Sequence, residues 1–309
     1  MAVVSAPFAL VTAFSTNITG GNPAAVVLHD TSRPLHELAA LARTLNQPIL
    51  AVVSSSPLPS DEPHVQIREI RYFASKNGDE QRICGHGMLA TASVIFSLSE
   101  FASTGLRTII FKNPIYGLSF RAMATKLDDG FIEISLPAPS LGEVDENKKM
   151  AIRSHVNKAF GREVKIKDIK TGGTLLPHYC LIVLDEKEIL AGSTIHASAL
   201  IETGFVIHVV TIKSPDPEYV FYSRMFAPLA LIDPGEDAVC GSAHGISGPY
   251  WHEQLGIQAG TEIKAKQVSE RGGHVRLIWD VAEGFVRLRG QATVLASGTV
   301  QVPFGLPQG

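Results

Sequence analysis

Two short segments of this chain read alike around a shared Cys-Gly step: Ile83-Cys84-Gly85-His86-Gly87-Met88 and Val239-Cys240-Gly241-Ser242-Ala243-His244. Each follows an acidic, polar stretch, Asp79-Glu80-Gln81-Arg82 in one and Asp233-Pro234-Gly235-Glu236-Asp237 in the other, and each opens a run of small residues suited to a tightly packed helix. The first copy begins a stretch, 83 to 99, that holds no Asp, Glu, Lys or Arg. A helix that is apolar on every face must be enclosed by other structure. With many strand-like runs nearby, the simplest enclosure is a curled sheet or barrel wrapped round one helix. Helix starts carry backbone N–H groups and partial positive charge. Two such ends facing each other make an anion-binding cleft.

The rest of the chain is patterned accordingly. Strand-like runs at 7 to 14 and 23 to 28 flank a turn at Gly20-Gly21-Asn22, and Pro34 introduces a helix with apolar residues at Leu35, Leu38, Leu41, Ala42 and Leu45. Further strands are expected at 49 to 53, 64 to 73 and 107 to 111. The second half repeats the plan, with a strand at 131 to 136, a helix near 146 to 160, strands at 180 to 184, 206 to 212 and 219 to 226, and four more after Cys240 between 261 and 302. The charged stretch 121 to 130 reads as a boundary. The fold class is therefore α+β, in two pseudo-equivalent halves with the site between them. The divisions are an N-terminal domain of residues 1–125, completed by about 296–309, and a C-terminal domain of residues 126–295.

Several function classes are disfavoured. At 309 residues, 45% hydrophobic and 18% charged, the chain is an ordinary globule of two-domain size. A net charge of −3 without a basic run gives no field for nucleic acid. The apolar first 14 residues lack a basic start and alternate like a strand, and the run from 83 to 99 is too polar in its Gly, His, Ser and Thr for a membrane span. Three cysteines without scaffold spacing suit free thiols in the cytoplasm. Gly85-His86-Gly87-Met88-Leu89-Ala90 satisfies G-x-G-x-x-A, but that fingerprint needs a tight strand-to-helix turn and an acid about 20 positions on, and none stands near 105. A dinucleotide cofactor is not expected. Nor is a metal, since the cysteines and histidines fall in no ligand spacing.

The chemistry-bearing residues cluster at the two helix starts. Cys84 and Cys240 read either as thiol acid/base groups, because a helix N-terminus favours thiolate, or as small buried hydrophobes. His86 reads as a donor and proton shuttle or as a histidine bonded to backbone. Asp237 stands where an N-cap belongs, and Ser242 reads as a substrate donor or as a hydroxyl bonded to its own helix. Cys180 and His244 read as packed residues.

The sequence resembles the phenazine-biosynthesis PhzF-like family, within the diaminopimelate epimerase and proline racemase superfamily. The resemblance rests on Gly21-Asn22-Pro23-Ala24-Ala25-Val26-Val27-Leu28, Ile70-Arg71-Tyr72-Phe73 leading through Glu80 to Cys84-Gly85-His86, and Arg224-Met225-Phe226-Ala227-Pro228. It continues through Glu236-Asp237 to Cys240-Gly241-Ser242-Ala243-His244, Pro249-Tyr250-Trp251, and Gln267 to Ser269 with Arg271-Gly272-Gly273. It implies two diaminopimelate-epimerase-like domains, each a β-barrel around a central helix, no cofactor, and a homodimer as in many relatives. It also implies that His86, Asp237 and Ser242 bind substrate and handle protons. Together with the helix-start thiols, the candidate catalytic residues are His86, Asp237, Cys84 and Cys240, with Gly85, Gly87, Gly241, Ser242, Ala243, Ile49 and Asn22 around a small substrate that is anionic or carbonyl-bearing.

One position departs from the family. PhzF-like isomerases carry a general-base glutamate in a segment resembling Asn-Leu-Ser-Glu-Thr-Ala-Phe-Val, and here it reads Asn46-Gln47-Pro48-Ile49-Leu50-Ala51-Val52-Val53, with Ile49 where the carboxylate would be. Three readings follow: proton-transfer isomerisation by other groups, Cys84 and Cys240 among them; cyclisation of a specialised metabolite held in a reactive shape; and a ligand-binding relic without catalysis.

Overall fold

The computed structural model describes residues 2–98, 105–115, 122–231 and 235–304. The chain divides into two compact units, Met1–Ser135 with Arg289–Gly309, and Leu136–Leu288. The divisions thus fall at 135/136 and 288/289 instead of after 125 and near 296. The charged stretch from 122 to 130 lies inside the first unit. From residue 122 it forms a strand and a tight turn, closed by the Leu127 N–H donating to the Phe131 carbonyl. Residues 99, 121, 233, 234 and 305–309, on which parts of the sequence reading fell, lie outside the described residues.

In the first unit β1 (Ala2–Ala13) and β2 (Asn22–Leu28) form a hairpin, α1 (Leu35–Leu45) leads to β3 (Ile49–Val53) parallel to β2, and β4 (Val65–Ala74) returns antiparallel. The two-residue β5 (Glu80–Gln81) folds back on β4 and runs into α2 (Gly85–Ser97). Then β6 (Thr108–Lys112) pairs parallel with β4, β7 (Ala122–Lys126) with β6, and β8 (Ile132–Pro137) with β7.

The second unit contains β9 (Gly142–Glu143), α3 (Glu146–Phe160), β10 (Ile166–Gly172), β11 (Leu176–Leu184), a 3-10 helix (Ala197–Thr203), β12 (Ile207–Lys213), β13 (Phe221–Phe226), β14 (Glu236–Asp237), α4 (Gly241–Leu255), β15 (Glu262–Gln267) and β16 (Gly273–Asp280). Its pairings repeat those of the first: a β10–β11 hairpin, β12 parallel to β11, β13 antiparallel to β12, β14 on β13, β15 parallel to β13, and β16 on β15. β17 (Phe285–Gly290) carries the chain out of this unit, and β18 (Ala292–Phe304) lies along β1 from Ala13↔Ala292 onward. β7 and β10 had no clear signal in sequence. In β10 only Ile166, Ile169 and Gly172 are buried, and Lys167, Asp168 and Lys170 dilute the alternation.

The halves are α+β as expected, but the barrels are not closed. Among the described residues the first sheet runs β18–β1–β2–β3–β4–β6–β7–β8, and β8 pairs further with β17. It curls around α2, which lies against β1, β2, β3, β7 and β18. Both faces are covered. Ala25, Val27, Leu50, Val52 and Phe73 pack in one cluster with Leu38, Leu41 and Ala42 of α1. Since successive side chains alternate, Ala24, Ile49, Ala51 and Tyr72 face the α2 side. This explains why β3 is buried along its whole length. Met88, Leu89, Ala90, Ala92 and Ile95 of α2 are fully enclosed, each large side chain contributing about 1.5–3 kcal/mol.

One clasp occurs in both halves. Arg71 sends Nε and Nη2 to the two carboxylate oxygens of Glu80 at 2.8 and 2.7 Å, its Nη1 to the carbonyls of Thr31 and Arg33, and its guanidinium lies 5.1 Å from the Phe73 ring centroid. Arg224 binds Glu236 through the same two nitrogens at 2.7 and 2.7 Å, its Nη1 reaches the Ser193 carbonyl, and its guanidinium lies 5.1 Å from the Phe226 centroid. Register agrees as well: Phe73↔Glu80 and Tyr72↔Gln81 match Phe226↔Glu236 and Met225↔Asp237. Each clasp ties a short strand to its neighbour four residues before the cysteine of the repeated segment.

Removing one partner of such a buried pair leaves an uncompensated charge. Arg71→Met is expected to cost about 3–5 kcal/mol, and Arg71→Met with Glu80→Leu to recover most of it. Urea unfolding measures both, and a single-variant loss below about 1 kcal/mol would show that the pair does not hold the hairpin.

Candidate functional site

The clasped hairpins deliver the repeated segments to matching positions. Cys84 is the N-cap of α2 and Cys240 the N-cap of α4, both extended at the cap (φ −144°, ψ 109° and φ −106°, ψ 115°), with Gly85 and Gly241 as first helical residues. α1 and α3 place an acid in their first turns, Glu37 and Glu146, and Asp145 caps α3 through its side chain. α2 and α4 have no acid in the first turn. Their positive ends are left for something other than a local carboxylate to meet.

At the first start, Cys84 Sγ lies 3.4 Å from Nδ1 of His86, which is largely buried. A thiol and an imidazole at this distance can exchange a proton in place. Gly87 is tightly flanked: a Cβ there would come within 3.1 Å of the Tyr72 ring and 3.3 Å of Cys84 Sγ. Tyr72 is buried, and its hydroxyl has no hydrogen-bond partner. Burial, with a lesser contribution from Cys84, pushes that phenol well above its ordinary pKa. Ile49, 3% exposed, opens β3 between Ala24 of β2 and Ala74 of β4, so neither register partner carries an acid. Asn22 is fully buried at the start of β2.

At the second start, Ser242 Oγ lies 2.8 Å from the Tyr179 hydroxyl and 3.2 Å from Cys240 Sγ, and the sulfur accepts the Ala243 N–H at 3.4 Å. The hydroxyl thus bonds outward to β11 as well as to its own cap. Asp237 is not an N-cap. β14 holds it extended opposite Met225, and the three-residue step beyond it makes Cys240 the cap. Gln267 fixes that step, accepting the Cys240 N–H at 2.9 Å and donating to the Asp237 carbonyl at 2.6 Å. His244 is fully buried, with Nδ1 2.7 Å from the Cys240 carbonyl, and burial lowers its pKa to about 4. Cys180 belongs to the cluster beneath α3, and burial pushes its thiol up to about 12. It is a packing residue.

Tyr72, Tyr179 and Gln267 carry geometry that the sequence reading left without a role. For Tyr179 there was a signal: if Cys180 faces the core under α3, its neighbour on a strand must face the other way, toward α4. The G-x-G-x-x-A match has a structural counterpart, since α2 connects the parallel strands β4 and β6. However, Gly85 follows β5, which is antiparallel to β4, and not the tight strand-to-helix turn that a pyrophosphate needs. Among the described residues no three His, Cys, Asp or Glu side chains group as a metal set, and no helix is long and apolar enough to cross a membrane.

Residues 11–298 match the family described as phenazine biosynthesis-like protein. An uncharacterized isomerase of Halalkalibacterium halodurans is 29% identical over 296 residues, covering 96% of this chain and 98% of that protein. Phenazine biosynthesis-like domain-containing protein 2 of Mus musculus is 27% identical, covering 95% and 98%. A crystal structure of a PhzF-family phenazine biosynthesis protein from Enterococcus faecalis matches with a TM-score of 0.75 at 28% identity, over 96% of this chain and 99% of that one. The fold alone is shared with a hydroxyproline epimerase from Agrobacterium vitis solved with bound trans-4-hydroxy-L-proline, at a TM-score of 0.52 and 11% identity over 97% and 92%.

Two outcomes follow from this geometry. Tyr72→Phe removes a buried hydroxyl that bonds to nothing and is expected to stabilise the fold by about 1 kcal/mol or more; a loss of stability in thermal unfolding would show that the hydroxyl is bonded after all. His244 and His208, both lowered to about 4 chiefly by burial, stay neutral in the fold while an unfolded chain protonates them near 6.5. Below pH 6.5 the unfolded state therefore binds the extra protons. Stability is full above that pH and falls by up to about 1.4 kcal/mol per pH unit for each histidine, until about pH 4. His244→Gln is expected to flatten the urea-unfolding profile between pH 6.5 and 4, and an unchanged slope would count against a neutral His244.

Proposed function

The chain belongs to the phenazine biosynthesis-like family, and we propose that it is a cofactor-independent isomerase moving a proton on a small carboxylate-bearing or carbonyl-bearing metabolite. The observation that carries this reading is the Cys84–His86 pair, sulfur to Nδ1 3.4 Å, at a helix start without an acidic residue in its first turn. The positive helix end favours the thiolate, and the imidazole takes or returns the proton. Cys240 and Ser242 hold the corresponding positions on α4. Such a pair needs no glutamate at position 49, where a buried isoleucine on the α2 side of the sheet can only shape and dry its surroundings. His86 and Asp237 supply the remaining proton transfers and hydrogen bonds. Gly85, Gly87, Gly241 and Ala243 keep the helix starts low enough for a substrate to approach backbone.

The same isoleucine favours a second reading, cyclisation of a substrate held in a reactive shape, in which no proton leaves carbon. Incubation in D2O with pooled small carboxylic acids, followed by NMR, separates the two. Isomerisation labels the carbon that loses its proton, whereas concerted closure gives a new product without label. Cys84→Ser and Cys240→Ser are each expected to lower exchange by about 10²–10⁴-fold, the usual worth of a positioned acid or base. Normal exchange in the double variant would end the thiol reading, and binding without label or product would identify a non-catalytic relic.

A further inference from the structure

The two halves can be superimposed residue by residue through their registers, and the comparison singles out Tyr179. Val52↔Arg71 in the first sheet corresponds to Val210↔Arg224 in the second, so Ile49 corresponds to Ile207. Ala24 pairs with Ile49 and Tyr179 with Ile207, so Tyr179 stands where the first half has Ala24. A methyl group in one half is a phenol in the other. That phenol reaches the residue matching His86, Ser242, at 2.8 Å.

Either oxygen can be the donor between Tyr179 and Ser242, and either atom between Ser242 and Cys240. A hydroxyl has one proton to donate and can accept as well. Cys240 Sγ already accepts from the Ala243 N–H and has Ser242 Oγ at 3.2 Å. If Tyr179 donates to Ser242, the Ser242 proton is directed at sulfur, and the sulfur receives two donors at a helix N-cap. Cys84 differs, since the Cys84 side chain makes no cap hydrogen bond and its sulfur faces an imidazole nitrogen. We infer that Tyr179 is a positioning residue, which turns the Ser242 hydroxyl toward Cys240 and thereby favours the Cys240 thiolate. This rests on the reading of the helix-start cysteines as acid/base groups and adds a residue that tunes one of them.

Several described groups lie around Cys240 and could also govern its ionisation. Asp237 lies on β14, His244 on α4 and Tyr179 on β11, while β13 and β15 offer the uncharged Ser223 and Gln267. His244 stays neutral above about pH 4 and does not change charge where a thiol titrates.

Iodoacetamide alkylation of the folded protein between pH 5 and 9, with each cysteine followed by peptide mass, tests this without any substrate. Its outcome is therefore independent of whether the proposed reaction is found. Tyr179→Phe is expected to raise the Cys240 midpoint by about one pH unit and leave that of Cys84 in place, and Ser242→Ala to raise it at least as far. A purely structural role for Tyr179 would move neither midpoint or both together, and either result overturns the inference. So does a Cys240 that stays unreacted to pH 9, because a thiol closed to a small electrophile cannot act on a substrate.

Discussion

Enclosure of an uncharged helix is the constraint on which the first half of this protein depends. α2 carries no Asp, Glu, Lys or Arg, so it has no face to turn toward water, and a curled sheet surrounds it. The cost of that arrangement falls on the sheet, whose strands must be apolar on both faces because α1 covers the other side. With its body buried, the helix has chemistry to offer mainly at its N-terminal end. The Arg71–Glu80 clasp then matters beyond its own stability, because it fixes the hairpin from which the helix departs and so fixes where Cys84 and His86 stand.

The same construction occurs twice, and the differences between the copies carry the functional argument. The clasps, the N-cap cysteines and the following glycines are alike, whereas His86 is replaced by Ser242, Gly87 by Ala243, Ala24 by Tyr179 and Tyr72 by Met225. One helix start therefore pairs sulfur with an imidazole and the other pairs sulfur with a hydroxyl chain.

Family membership and local chemistry point to one class of reaction by different routes. Relatives over nearly the full length of the chain include proteins named as isomerases. The helix starts provide thiol, imidazole and hydroxyl groups suited to proton transfer without a cofactor. Ile49 is where these routes diverge: the resemblance leads one to look for a carboxylate, and the strand register surrounds the position with alanines. The side chain there is aliphatic and buried, so position 49 contributes no proton-accepting group.

Sequence by itself determined the duplication, the α+β class, the uncharged helix and the residues at both helix starts, because each of these is written in local spacing and composition. It placed β3, β4, α2 and α3 closely, since burial on one or both faces leaves a periodic trace. Tertiary structure alone decided that the sheets curl without closing, that β7 and the charged β10 are strands, and that Cys240, not Asp237, caps α4. It also decided that the Tyr179 hydroxyl meets Ser242, 63 residues away in sequence. Such contacts arise from strand register, which joins residues far apart in the chain, and local propensity holds no record of distance across a sheet.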